Sequence, residues 1–230
     1  MKKLLLILLL ACTTRSFAQK IEFIVLGGYG ATQTFYYSPG TSDKVLIALS
    51  KDGSIAEFGT EYPKEFYGYY PGKLQKYMGR IEYYSQTENE AFRGKIRYIG
   101  LTQITYYGSY DEEALRGKVR TIGSTQFNYY ASYDDAAIKG NIKTVGGTAI
   151  NWCPSYENEA IRGRLKNIGN TKFEWYTSFD DKAISGKVKQ IDQYMFTYYT
   201  SFENNNGQKG MLKSGFFTKY INGINYYLRN

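Results

Sequence analysis

Two kinds of residue recur along this chain at a spacing that would suit the binding of anionic groups. Basic side chains lie 23 residues apart, and tyrosines recur at the same interval with one position taken by Cys153. The basic ladder is Arg97, Arg120, Lys143, Lys166 and Lys189, and the tyrosine column is Tyr107, Tyr130, Tyr176 and Tyr199. Cations pair with phosphate or carboxylate groups, and aromatic rings stack on ligands. Together these rows predict a surface for a polyanion or a partner, with an anionic glycan as one candidate ligand.

A second interpretation needs no ligand. A repeat protein must keep its outer face soluble, and lysine or arginine also protects a sheet from pairing with other chains. A second basic row, made of Lys95, Lys118, Arg164 and Lys187, is expected on the same face as the ladder. Acidic residues in the turns, such as Asp134 and Glu157, would balance these charges. We favour this interpretation, because rows of charge are usually solvated faces.

The residue types argue against catalysis. The chain has no histidine, which removes the commonest general base and the commonest metal ligand. A serine column recurs with the same period and is expected to form hydrogen bonds in the turns, because no base accompanies it. Its members are Ser109, Ser132, Ser155, Ser178 and Ser201. We therefore predict no enzyme and no catalytic, cofactor-binding or metal site.

A repeating unit of 23 residues must position these rows. Its opening glycine occurs at Gly94, Gly117, Gly140, Gly163 and Gly186. Each unit has a β-branched, basic half and an aromatic half, separated by a Gly-x-Thr turn and closed by an acidic turn. Two turns per unit predict two antiparallel strands. The sequence thus predicts an all-β antiparallel meander of about six hairpin repeats, forming an extended or curled sheet. A β-solenoid with one unit per coil is the alternative.

Side chains alternate between the two faces of a strand, so parity predicts which residues share a face. Counting the Gly-x-Thr loop as three residues and the acidic loop as four places Ile142, Ile150, Trp152 and Tyr156 together on an apolar face. The repeat glycine would leave room there for a neighbouring aromatic ring. Such a face must be covered. We expect the sheet to curl on itself, to pair with a second copy, or to bind a protein partner of the cell envelope.

The N-terminus reads as an export signal. Lys2 and Lys3 precede an apolar run, and the Ser-Phe-Ala sequence ending at Ala18 is typical of a cleavage site. The ending resembles signals of Gram-negative bacteria, which implies an envelope: periplasmic, outer-membrane associated or secreted. Lipidation of Cys12 is the alternative. Without residues 1–18 the chain keeps 26 basic and 21 acidic residues, a net charge of +5. That charge favours anionic partners but does not indicate nucleic acid.

The remaining chain divides into three segments. Residues 19–71 are predicted to form an N-terminal β segment with degenerate repeats, and its strands are expected at residues 21–26, 31–37 and 44–49. Residues 72–209 form the repeat block. Residues 210–230 are expected to add capping strands to it.

One family resemblance rests on Tyr133-Asp134 followed by Gly140-Asn141-Ile142. This run resembles the YD repeats of Rhs and teneurin shells, in which a Tyr-Asp pair precedes glycine and an aliphatic residue. The resemblance implies a curling antiparallel sheet and no activity. Together with the other observations it predicts an exported, non-enzymatic envelope protein with a structural or protein-interaction role. The alternatives are a carbohydrate- or polyanion-binding surface protein and an outer-membrane β-barrel.

Overall fold

Two large β-sheets are formed by residues 19–62, 72–203 and 207–229, which the computed structural model describes. The predicted signal segment, with Cys12, lies outside these residues. The first sheet has seven strands in the order β19-β20-β1-β2-β3-β4-β5. These strands are β1 (Lys20–Gly27), β2 (Thr32–Ser38), β3 (Val45–Ser50), β4 (Ile55–Glu61), β5 (Leu74–Lys76), β19 (Thr218–Ile221) and β20 (Ile224–Leu228). One turn of 3-10 helix, Gly28–Gly30, joins β1 to β2. The strands expected at residues 21–26, 31–37 and 44–49 are confirmed. The expectation that the C-terminal residues cap the repeat block is wrong for β19 and β20, because β20 pairs with β1 in this sheet.

The second sheet is the repeat sheet, in which eleven strands from β6 to β16 pair with their neighbours in chain order. Its strands are β6 (Ile81–Tyr83), β7 (Ile96–Ile99), β8 (Thr102–Tyr106), β9 (Val119–Ile122), β10 (Thr125–Tyr129), β11 (Ile142–Val145), β12 (Thr148–Trp152), β13 (Leu165–Ile168), β14 (Thr171–Trp175), β15 (Val188–Ile191) and β16 (Tyr194–Met195). After Phe196, β17 (Thr197–Tyr198) pairs with β18 (Leu212–Ser214). The predicted antiparallel meander is confirmed, and the solenoid alternative is wrong. In the described residues neither large sheet closes on itself.

The two loops of each unit differ in length from the three and four residues that the parity argument assumed. Ile122 pairs with Thr125, so the Gly-x-Thr hairpin has only two loop residues, of which Gly123 adopts a φ of +59°. The connection from Tyr129 to Ile142 is much longer than four residues. A glycine suits the hairpin turn because positive φ costs it little.

A β-bulge in each unit changes which residues face inward. Asn128 pairs with Thr144, but Tyr129 pairs with Ile142, so Lys143 is an extra residue without a partner in β10. Ile142 and Val145 are consequently both buried, although strict alternation would place them on opposite faces. Tyr156, predicted for the apolar face, is 83% exposed because it lies in the loop beyond the sheet. The parity prediction is confirmed for Ile142, Ile150 and Trp152, which are buried, and is wrong for Val145 and Tyr156.

The apolar face of the repeat sheet is covered by the seven-stranded first sheet of the same chain, which we call the N-terminal sheet. One continuous core contains side chains from both sheets. The ring of Phe35 meets that of Trp152 edge-on at 6.1 Å between centroids, and Tyr37 meets Phe127 at 5.4 Å. The sequence left open whether the sheet itself, a second copy or a partner protein covers this face. The structure shows that strands β1–β3 and β20 cover it.

The repeat glycines serve a purpose different from the predicted one. Gly117 and Gly163 have φ values of +70° and +68°. A Cβ atom on them would lie 2.7 Å from the Ala91 carbonyl oxygen and 2.9 Å from the Ala137 carbonyl oxygen, each in the acidic turn just before the previous repeat glycine. Close approach of backbone and positive φ, not room for an aromatic ring, therefore explain glycine at these two positions.

Candidate functional site

The basic ladder lies directly over the tyrosine column. The guanidinium carbon of Arg120 is 5.5 Å from the centroid of the Tyr107 ring, and the Lys143 ammonium is 5.1 Å from that of Tyr130. Lys189 lies over Tyr176 at 5.8 Å, and Arg97 lies over Tyr84 at 5.4 Å. A further cation, Lys213, lies over Tyr199 at 5.6 Å. Such cation–π contacts are favourable even at exposed sites.

The β-bulge explains this regular stacking. Arg120, Lys143, Lys166 and Lys189 are each the extra residue of a bulge. An extra residue departs from the regular pleat, so a bulge redirects the side chain that it carries. The same β-bulge, repeated in each unit, therefore directs the cations of the basic ladder toward the tyrosine column.

The tyrosine hydroxyls are already engaged with the neighbouring unit. Tyr107 donates a hydrogen bond to the Phe127 carbonyl oxygen at 3.0 Å, and Tyr176 donates to that of Phe196 at 2.9 Å. Tyr130 donates to Asn151 Oδ1 at 2.9 Å. Burial raises the pKa of all three hydroxyls above its ordinary value. With a cation on one side and a hydrogen bond at its tip, each ring serves the contact between units.

The unit with Cys153 shows how the ladder behaves without a ring. Cys153 is buried, and burial raises the pKa of its thiol to about 12. Lys166 instead donates a hydrogen bond to Glu157 Oε1 at 2.7 Å, and this bond raises the pKa of Lys166. The cation thus finds a partner in the preceding unit in either case.

The second basic row, the inner basic row of Lys95, Lys118, Arg164 and Lys187, serves the junction between the two sheets. Lys118 Nζ donates to the Asp52 carbonyl oxygen at 2.9 Å, and Arg164 Nη1 donates to that of Gly30 at 3.0 Å. Lys187 lies 4.6 Å from the centroid of the Tyr29 ring. Burial lowers the pKa of Lys118 and Lys187. The prediction that both basic rows share the outer face is therefore wrong for Lys118, Arg164 and Lys187, which reach turns of the N-terminal sheet. Lys95 is exposed and donates to the Gly117 carbonyl oxygen within the repeat sheet.

The serine column links each turn to the preceding one, as predicted. Asp135 accepts hydrogen bonds from Ser155 N, at 2.8 Å, and from Ser155 Oγ. Asp181 accepts the equivalent bonds from Ser201. Asn158 occupies the same position in its unit and bonds both the amide and the hydroxyl of Ser178. Carboxylate and amide side chains therefore fill the same structural role in different units.

This column predicts a dependence of stability on pH. The hydrogen bond from the serine hydroxyl holds the pKa of Asp135 and Asp181 below the ordinary value of 3.8. A carboxyl group whose pKa is lowered on folding stabilises the folded protein at pH values above the pKa that the group has in the unfolded chain. This stabilisation is lost as the pH falls through the pKa of the folded state. We expect Asp135→Asn/Asp181→Asn to melt at a slightly lower temperature than the native chain at neutral pH, because asparagine carries no charge. Between about pH 6 and about pH 3 its melting temperature should fall by less than that of the native chain.

Melting curves followed by circular dichroism check this expectation. Asparagine is a suitable replacement because Asn89 and Asn158 already fill the same position. Glu159→Gln removes an exposed carboxylate of a neighbouring turn outside the column and should leave the acid curve unchanged. An acid curve of the double variant identical to the native one would contradict the role assigned to these carboxylates.

The acidic turns also carry exposed aromatic residues, which the parity argument had placed on the apolar face. The residue after each column serine is aromatic and stands in solvent, with exposed fractions between 83% and 99%. This aromatic row is Tyr110, Tyr133, Tyr156, Phe179 and Phe202. In the sequence, each member of the aromatic row lies between a serine and an acidic or amide-rich turn. Strand alternation does not apply there, because these residues lie in a loop. Unlike the rings of the tyrosine column, these rings are accessible to a ligand.

The described ranges contain no helix of the length and apolar character that crossing a membrane requires. No group of three or more Cys, Asp or Glu side chains in them is arranged to hold a metal ion.

Tandem hairpins that repeat one set of surface rows define a repeat protein. A family model of the BspA-type leucine-rich repeat region matches residues 86–220 in six copies, which is more than half of the chain. The chain belongs to this family. Repeats of this family suggest a protein for interaction or adhesion. No curated protein and no solved structure matches the chain.

The family match corrects the resemblance to YD repeats, which is wrong. The Tyr-Asp pair that carried it is a turn element here. Tyr133 is exposed, and Asp134 Oδ2 accepts a hydrogen bond from Ala131 N at 2.6 Å, three residues earlier. A turn of this kind favours an acid after any exposed residue.

Proposed function

We propose that this chain is an exported, non-enzymatic interaction or adhesion protein of a Gram-negative envelope. The single observation that carries the proposal is the repetition of identical exposed rows over successive units of a rigid sheet. The family supports a role in protein interaction or adhesion. The apolar face is internal, so partners would contact the turns, the aromatic row and the basic ladder and not that face.

The polyanion surface predicted at the basic ladder stays a prediction. Each ladder cation already has a partner, either a tyrosine ring or, for Lys166, a carboxylate. This geometry favours a structural role for the tyrosine column. Charge reversal of Arg120, Lys143 and Lys166, followed by retention on immobilised heparin, tests it directly: unchanged retention would remove the ladder from the binding surface.

Fractionation tests the export component. The full chain expressed in a Gram-negative host should appear in the envelope fraction with Gln19 as its first residue, read by N-terminal sequencing. Ala18→Arg should block this cleavage, because a small residue is needed at that position. Cys12→Ala distinguishes the lipoprotein alternative, since it would abolish anchoring only if Cys12 is lipidated. An intact N-terminus and a cytoplasmic location would contradict the proposal.

Pull-down tests the interaction component. The purified mature chain is incubated with envelope extract of the same host, and retained components are compared with those retained by the unfolded chain. A component that is retained only by the folded chain supports the proposal. Retention of the same components by both forms would contradict it.

A further inference from the structure

The side chain of Gln19 is exposed, yet hydroxyl groups of the repeat sheet hold it in place. Gln19 lies immediately before β1. Its Oε1 atom accepts hydrogen bonds from Ser124 Oγ at 2.9 Å and from Thr125 Oγ1 at 2.7 Å. The Tyr37 hydroxyl donates to the same oxygen at 3.5 Å. Ordering a long glutamine side chain has an entropic cost, so three donors around one amide oxygen form a defined site.

The turn that supplies two of these donors differs from the other Gly-x-Thr turns. Its middle residue is Ser124. The equivalent residues of the other three turns are Leu101, Gly147 and Asn170. Gly123 opens the turn with a φ of +59°, and a Cβ atom on it would lie 3.1 Å from Gln19 Nε2. The turn with a second hydroxyl group is thus the turn against which the amide of Gln19 packs.

The proposed export would place a reactive group beside this amide. Cleavage after Ala18 makes Gln19 the first residue and frees its α-amino group. Three carbon atoms separate that nitrogen from Cδ of the side chain, which is the spacing that closes a five-membered ring. Attack by the amine on Cδ is intramolecular, so proximity favours it. The attack puts negative charge on Oε1, the atom that the hydroxyls of Ser124 and Thr125 contact.

We propose that Gln19 of the exported chain becomes pyroglutamate and that the hydroxyls of Ser124 and Thr125 promote ring closure. The α-amino nitrogen forms a bond to Cδ, and the bond between Cδ and Nε2 breaks. The attacking amine loses one proton, and Nε2 takes a proton and leaves as ammonia. Oε1 becomes the carbonyl oxygen of the lactam, and no oxidant or second substrate is required. This inference rests on the proposed cleavage after Ala18 and adds a modification of the exported chain to it.

Ring closure would protect the strand that follows. β1 pairs with β2 on one side and with β20 on the other, so it is an internal strand of the N-terminal sheet. Ile21 is only two residues beyond Gln19, is 5% exposed and belongs to the core between the sheets. Aminopeptidases require a free α-amino group, which a lactam lacks. The modification would thus prevent stepwise trimming of a strand on which the contact between the sheets depends.

Tandem mass spectrometry of the N-terminal peptide tests the modification on the full chain exported by a Gram-negative host. This method replaces stepwise sequencing, which a lactam blocks. We expect the peptide to begin at residue 19 and to be lighter than the unmodified peptide by one molecule of ammonia. A peptide that begins at Gln19 with a free amine would overturn this proposal and leave the export proposal standing. A peptide that begins at another residue would overturn both.

The role of the hydroxyl groups is measured as a rate on the purified mature chain. The chain is released from a removable N-terminal fusion so that Gln19 is its first residue. The cyclised fraction is followed over time at about pH 8, where a large share of α-amino groups is unprotonated. We expect the folded chain to cyclise about tenfold faster than the chain unfolded in guanidinium chloride. This factor is smaller than oxyanion donors supply in buried sites, because the turn is exposed.

Ser124→Ala/Thr125→Val should slow the folded chain to the rate of the unfolded one. The matched control is Thr148→Val, which changes the equivalent threonine of the following unit and should leave the rate unchanged. Melting curves confirm that both variants are folded. Equal rates for the native chain and Ser124→Ala/Thr125→Val, or for the folded and unfolded chains, would overturn the role assigned to this turn. Because this chain is prepared without its signal segment, the rate does not depend on the export result.

Discussion

Replacing Trp152 with alanine should lower the free energy of unfolding by about 4 kcal/mol. The side chain is 2% exposed and lies between the two sheets, where it meets Phe35 edge-on. Its indole Nε1 donates a hydrogen bond to the Ile142 carbonyl oxygen at 2.7 Å. Alanine would leave a large cavity and an unsatisfied buried carbonyl, and both effects destabilise the folded state.

The neighbouring units show which part of Trp152 matters. Tyr106, Tyr129 and Trp175 occupy the equivalent positions, and each donates one hydrogen bond to a carbonyl ten residues earlier. Tyrosine and tryptophan both have a large ring with one donor at its edge. We therefore expect Trp152→Tyr to be better tolerated than Trp152→Phe, which keeps most of the volume but has no donor.

Urea denaturation followed by circular dichroism measures these changes. Tyr156→Ala removes an aromatic ring of similar size that is 83% exposed, and its free energy of unfolding should stay within about 0.5 kcal/mol of the native value. A loss below about 1.5 kcal/mol for Trp152→Ala would show that the sheets are not joined through this ring.

Most of the meander could be predicted from the sequence because its signals are local. Hairpin turns, strand composition and a fixed period of 23 residues require no knowledge of the rest of the chain. The bulge is less visible, since one extra residue inverts parity without altering composition. The bulge was indicated by three apolar residues, Ile122, Val145 and Ile168, which strict alternation assigned to the solvent-exposed face although they are buried.

The cover over the apolar face could not be predicted in the same way, because packing between distant segments has no local signature. Its only trace was the composition of the N-terminal strands. In β3, Val45 and Ile47 belong to the core between the sheets, while Leu46 and Ala48 belong to a separate cluster on the opposite face. A strand buried on both faces is continuously apolar. The run from Val45 to Leu49 thus indicated a central strand, but not which surface it would cover.

The candidate site was predicted in part. The sequence alone identified the basic ladder and the tyrosine column as neighbours, and the structure places four of the five ladder cations over tyrosine rings. The sequence could not separate rings used between units from rings left in solvent. That distinction depends on where the chain leaves the sheet after Tyr130, and the hairpin register decides it.

Ile47→Asp should be the most damaging single substitution considered for this chain. Ile47 is fully buried in β3, paired with Tyr37 on one side and Phe58 on the other. A carboxylate there would have no partner in the core between the sheets. Burying an unpaired charge, or neutralising it at pH 7, should cost about 4 kcal/mol or more. We expect the N-terminal sheet to detach or the whole chain to unfold at lower denaturant.

Detachment has a specific consequence, because it would uncover the apolar face of the repeat sheet. The variant should bind a hydrophobic dye and self-associate in size-exclusion chromatography, while the native chain does neither through this face. Ala56→Asp places the same charge on β4 at an exposed position and should behave as the native chain. If Ile47→Asp stayed monomeric, stable and free of dye, the N-terminal sheet could not be what covers this face. A partner would then be required to cover the apolar face, and that face, not the turns and the aromatic row, would be the principal contact surface of the protein.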